Sequence, residues 1–274
     1  MNPIDINAMF KAHVAALLLQ EEDLSQARIE QLEDSAAELY LSWILLPQEQ
    51  LGGASVHAFF AAMSGGQLIQ ALSDYTASNV PPPDILLDTI VDTRPLEELS
   101  SLLLNAPSAD LRLCAAELLL EIDANRTRGV FLQALQQEED PRLAERVIQA
   151  LGADSAEDLL ALLENCSKAV RDCILDVLSE SSPDASLFPL VEAEFSRGER
   201  LQLYAPMLAR FGEQAIAPLT SVLRTELGYL DFLAVRDALE MLGEIVETRN
   251  FSGDPDYEAV RQSTGRPSER RKHR

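Results

Sequence analysis

Five segments of the chain repeat one pattern of apolar positions. From Leu111, apolar or small residues fall at Leu111, Cys114, Ala115, Leu118, Leu119 and Ile122, the spacing of one stripe along an α-helix. The same template fits Leu143, Val147, Ala150 and Leu151, and then Val170, Cys173, Ile174, Val177 and Leu178. It returns at Leu203, Met207 and Phe211, and at Val235, Ala238, Leu239, Leu242 and Val246. The five starts lie 32, 27, 33 and 32 residues apart, a period typical of repeat architectures. A shorter apolar stretch precedes each stripe: Leu96 to Leu104, Val130 to Leu135, Leu159 to Leu163, Phe188 to Phe195 and Ile216 to Leu223. Breakers separate the segments at Asn105 to Ser108, Asp140-Pro141, Asn165 to Ser167, Ser196 to Gly198 and Gly228. The unit is helix, short turn, helix, and no alternating strand pattern competes with it.

The first 80 residues read as helical without clean repeats. Asp5 or Asn7 caps a helix to Leu19, and Ser25 caps a long one ending at Pro47. Gly52-Gly53 and Gly65-Gly66 set off two shorter helices, Val56 to Met63 and Gln67 to Ser78, before Pro81-Pro82-Pro83 breaks the chain. The organisation expected is an N-terminal helical cap or degenerate repeats over 1–80, a repeat array over 84–248 and a basic, disordered tail over 249–274. A separate partner-binding domain is the sharper reading of the first segment.

Several details of the array resemble the short form of the HEAT-repeat family. They are the apolar-Arg pairs Leu111-Arg112, Val170-Arg171 and Val235-Arg236, and the apolar-Gly pairs Leu151-Gly152, Phe211-Gly212 and Leu242-Gly243. Pro95-Leu96, Pro189-Leu190 and Pro218-Leu219 open first helices, and Asp140-Pro141 stands in a turn. The resemblance implies an all-α fold, an α-solenoid of about five stacked helix-turn-helix repeats whose second helices line a concave binding face. One pair of helices cannot bury both faces of its stripe, whereas stacked pairs can. Among the enzymes of that family, the iron-dependent hydroxylases rely on His-Glu pairs, but His13, His57 and His273 are followed by Val, Ala and Arg. The bilin-lyase-like subunits have looser motifs, so a lyase-like or cofactor-handling subunit is the alternative to a non-enzymatic scaffold, adaptor or assembly chaperone.

Charge narrows the choice of partner. The 274 residues carry 45 Asp and Glu against 22 Lys and Arg, a net charge of −23. Residues 261–274 hold six basic side chains and one acidic, +5, so residues 1–260 carry −28. Such a body cannot track nucleic-acid phosphates or dock on anionic lipid, because both need a cationic surface. A protein partner with a basic segment is favoured instead. At 47% hydrophobic residues the chain is far too apolar for an acidic disordered protein. Three cysteines without a C-x-x-C, scattered histidines, and the lack of a signal peptide or a long apolar run point to a reducing, cytoplasmic setting with no metal or cofactor.

Candidate contacts are outward positions on second helices: Asp172, Asp176, Tyr204, Asp237 and Glu240, with Arg146 and Arg171. Arg146 and Arg210 interrupt the apolar template. Each is either the basic half of an ion pair between repeats, with its stem along the core edge, or an anchor for a partner. Cys114 and Cys173 share one repeat position and read as small core residues, leaving Cys166 as the exposed thiol.

Overall fold

The computed structural model describes residues 3–19, 34–181 and 184–264; of the helix expected from Ser25 to Pro47, residues 25–33 lie outside them. Among the described residues the chain is all-helical, with fifteen α-helices, three short 3-10 turns and no strand. It divides into two compact units, residues 1–143 and 144–274. That division falls inside the segment assigned to the repeat array.

In the first unit, α1 (Ile6–Leu18) starts where Asp5 accepts a 2.8 Å bond from the Ala8 N–H. Phe10 on α1 packs against Tyr40 and Trp43 of α2 (Ala36–Trp43), with ring centroids 5.1 and 5.2 Å apart. The helices α3 (Val56–Ala61) and α4 (Gly65–Ala77) follow. The second is opened by Ser64 and Gln67, each bonding the other's backbone N–H. Gly65 and Gly66 therefore lie inside the helix start instead of separating two helices. Gly65 is required there, because a Cβ would come 2.8 Å from the Pro95 Cβ.

After the three prolines come α5 (Asp84–Thr93), α6 (Leu96–Asn105) and α7 (Ala109–Leu135). The last is two helices joined at Asp123, which leaves helical geometry at φ −171°, ψ 90°. Its carboxylate then accepts the Arg126 N–H at 3.0 Å and so caps the restart. No Pro or Gly marks this bend in the sequence. Leu99 and Leu103 of α6 and Leu111, Ala115, Leu118 and Leu119 of α7 are buried, and the two helices pack together.

The second unit begins within the first turn of α8 (Pro141–Leu151). It continues with α9 (Ala156–Leu162), α10 (Lys168–Ser181), α11 (Phe188–Ser196), α12 (Leu201–Ala209), α13 (Ile216–Leu223) and α14 (Tyr229–Met241). Successive helices pair, α9 with α10, α11 with α12 and α13 with α14. Across the pairs, α10 packs on α12 and α12 on α14, while α11 packs on α13. Gly152, Gly212 and Gly243, the glycines of the three apolar-Gly pairs, all have positive φ, the conformation that ends a helix.

The segment expected to be a disordered tail is folded as far as residue 264. Arg249 donates to the Leu223 and Thr225 carbonyls at the end of α13 and stacks 5.3 Å over the Phe232 ring. Asp254 accepts the Tyr229 N–H at 3.1 Å with one oxygen, and the Asp256 and Tyr257 N–H groups with the other. It thereby caps both α14 and α15 (Pro255–Thr264). Tyr229 meets Phe251 and Tyr257 edge to face, so burial of aromatic surface supplies what the tail's polar composition concealed. The remaining basic residues, 265–274, lie outside the described residues.

Candidate functional site

Two arginines do the same thing at corresponding places. Ser108 accepts the Leu111 N–H, and Ser167 accepts the Val170 N–H, so each caps a helix whose next residue is arginine. In the first unit Arg112 donates to the Ala106 carbonyl at the end of α6 (3.0 Å), and forks onto Glu138 at 3.0 and 2.8 Å. In the second unit Arg171 donates to the Leu163 carbonyl at the end of α9 and reaches Glu194 of α11 at 3.5 Å. Each guanidinium thus ties the end of the preceding helix to a buried glutamate further along the chain, Glu138 in the turn after α7 and Glu194 on α11, both only 4% exposed. The third apolar-Arg pair departs from this: Arg236 bonds Asp237 and Glu240 along its own helix. Arg249 caps the end of α13 in its place.

Around Arg171 the second unit holds a larger polar network. Glu194 also takes Arg197 at 2.7 Å. Asp172, 4% exposed, accepts the Tyr204 hydroxyl with one oxygen, while its other oxygen faces the Arg200 guanidinium as an ion pair. Burial, and then the negative charge of Glu194, pushes the Tyr204 phenol above its ordinary value, against the pull of Arg200, Arg171 and Arg197. Buried carboxylates need such partners, since an unpaired one costs several kcal/mol.

These positions correct the sequence-based list of outward contacts. Asp172 and Tyr204 are interior residues bonded to each other. A template that counts only apolar side chains turned α10 by part of a residue: Asp172, Leu175 and Ser179 are buried, and Cys173 and Val177 are only partly so. In α8 the buried stripe is Leu143, Ala144, Val147 and Ile148, which leaves Ala150 and Arg146 exposed. Arg146 therefore does not interrupt the core. Arg210, at the end of α12, forms an ion pair with α10, its Nη1 bonding Asp176 Oδ1 (2.8 Å), the Asp176 carbonyl (3.0 Å) and Ser179 (2.8 Å). Arg171 is half-buried in its joint, and Asp237 and Glu240 are exposed beside Arg236. Glu138, Glu194 and Arg200 went unrecognised; the Ser-x-x-apolar-Arg spacing at 108–112 and 167–171 was the signal available for the joints.

Chemically, these groups are committed. Glu138 accepts Arg112 and the Glu139 and Asp140 N–H groups; although burial opposes it, this holds the carboxyl below its ordinary value. Burial and neighbouring carboxylates push the Cys114 and Cys173 thiols to about 11, and burial also raises Cys166, so none of the three is poised as a nucleophile. Among the described residues no group of three His, Cys, Asp or Glu side chains could hold a metal ion, and no helix is long and apolar enough to cross a membrane.

The surface carries unbalanced charge. Asp84, Asp88 and Asp92 recur one turn apart on α5, and Glu121 of α7 is close enough to act on them. Partial burial, followed by repulsion from Asp84, Glu121 and Asp92, raises the Asp88 carboxyl above its ordinary value. Comparison with protein-family models, curated proteins and solved structures finds no match to this chain.

Proposed function

We propose that the chain is a non-enzymatic scaffold of HEAT-like helical repeats, a short α-solenoid, that binds a protein partner bearing a basic segment. The observation that carries this reading is the layered packing of the second unit, α10 on α12 on α14 with α11 on α13. In a repeat array each unit leans on its neighbours in that way. The recurrence of the Arg112 and Arg171 joints supports it, because one sequence device then serves two places in the chain. Committed carboxylates and raised thiols leave exposed surface, not a reaction centre, as what the protein offers. The surplus of acid on that surface selects a cationic partner and accelerates its approach.

The test is affinity purification of the full chain at low and high salt, compared with two variants. One neutralises Asp84, Asp88 and Asp92 to Asn; the other neutralises Asp176, Asp237 and Glu240 to their amides. A specific partner retained at low salt, released at high salt and lost from one of the variants supports the reading. A partner held equally by all three proteins at both salt concentrations overturns it.

A further inference from the structure

The first unit contains a cavity of about 520 Å³ where α6 and α7 both end, walled by residues 103–106, Arg112, residues 133–134 and residues 137–139. Two helix C-termini, each the negative end of its helix dipole, converge there; at α7 the Gln133 and Ala134 carbonyls accept the Gln136 and Gln137 N–H groups, each keeping a second lone pair. At α6 the shortage of donors is built into the sequence, since Pro107 has no N–H to offer the Leu103 carbonyl. Side-chain amides of Asn105, Gln133 and Gln137 add carbonyl acceptors to the wall, and Glu139 adds a carboxylate that no cation among the described residues pairs with. The wall already binds one guanidinium: Arg112 bonds the Ala106 carbonyl and Glu138 within it. The corresponding joint of the second unit holds two, because Arg171 and Arg197 both reach Glu194.

From this geometry we infer that the cavity is a socket for one Lys or Arg side chain of the basic partner, held by Glu139, the Gln133 and Gln137 amides and the Leu103 carbonyl at the end of α6. The inference rests on the partner reading above and names the place where that partner is gripped. It predicts recognition of a positive head with several donors, which helix-end carbonyls and amides satisfy and an apolar or acidic side chain does not.

The probe is a fluorescently labelled oligo-arginine peptide, titrated into the full chain and followed by anisotropy, with an oligo-glutamate peptide of equal length as control. Gln133, Gln137 and Glu139 are exposed, so a Gln133→Ala, Gln137→Ala, Glu139→Gln variant keeps its melting temperature. It is expected to bind oligo-arginine on the order of tenfold more weakly, about 1.4 kcal/mol. The Asp84, Asp88 and Asp92 to Asn variant is the second arm. If it loses binding while the socket variant binds like the wild type, the socket is overturned and the basic-partner reading stands. If the wild-type chain binds neither peptide, both are overturned.

Discussion

A single residue pair decides how firmly the first joint holds. Glu138 is buried and takes a fork from Arg112 together with two backbone N–H groups. Removing one partner of a buried pair leaves a desolvated charge, whereas removing both leaves only volume to fill. Arg112→Met is therefore expected to cost about 3 kcal/mol in urea unfolding, and Arg112→Met with Glu138→Leu clearly less than the sum of the single changes. The same carboxyl carries a pH signature. Its folded value lies below the ordinary 4.5, so its stabilisation is complete above 4.5 and is lost as pH falls through the lower folded value. Glu138→Gln should flatten that acid limb of the stability curve. Tyr75 gives the opposite limb. Burial, with help from Asp5, pushes it from 10.0 to about 12, and its hydroxyl donates to the Ile4 carbonyl at 2.5 Å. Stability linked to Tyr75 is present below 10 and is lost as pH rises through about 12. Tyr75→Phe should remove that alkaline loss, read by circular dichroism across the same range.

At the scale of helices, what was legible in the sequence was whatever repeats. The apolar stripes located α7, α8, α10, α12 and α14, and the apolar-Gly pairs marked three helix ends. What escaped were polar residues that stand in for apolar ones. Asp172 is interior because Tyr204 and Arg200 come to it from α12 and its N-terminal edge, and both lie some thirty residues further along the chain. Asp123 bends α7 through its own carboxylate, with no Pro or Gly to announce the bend. The polar tail hid a helix whose support comes from Tyr229 and Phe251. Gly65 and Gly66 show how far a local reading extends, since they are identical in sequence and opposite in role. A Cβ at Gly65 meets Pro95 at 2.8 Å, while one at Gly66 meets nothing within 4 Å. The Pro95 ring cannot swing aside, so Gly65→Ala should cost about 1–3 kcal/mol by overpacking α4 on the start of α6. Gly66→Ala should stabilise by about 0.4–1 kcal/mol through a less flexible unfolded chain. Thermal unfolding of the two variants side by side checks both signs.

For the whole molecule, a net charge of −23 sets a stability cost that the local ion pairs only partly offset. Arg112, Arg171, Arg210 and Arg236 each neutralise nearby carboxylates, but Asp84, Asp88, Asp92 and Glu121 repel one another. Partial burial first, and then that repulsion, raises the Asp88 carboxyl. A raised acid is worth most below its ordinary 3.8 and becomes a penalty as pH rises through its folded value, so at neutral pH Asp88 works against the fold. Because the side chain is exposed and screened, the effect is modest, a few tenths of a kcal/mol. Asp88→Asn should therefore raise the melting temperature slightly at neutral pH in low salt and by less at high salt, where the repulsion is screened and only the burial cost is left. The wild-type melting temperature should climb with added salt for the same reason. A cationic partner docking on this face would give the same relief as salt, so its binding should stabilise the wild type more than Asp88→Asn. An equal gain in melting temperature for both proteins would place the partner elsewhere on the surface.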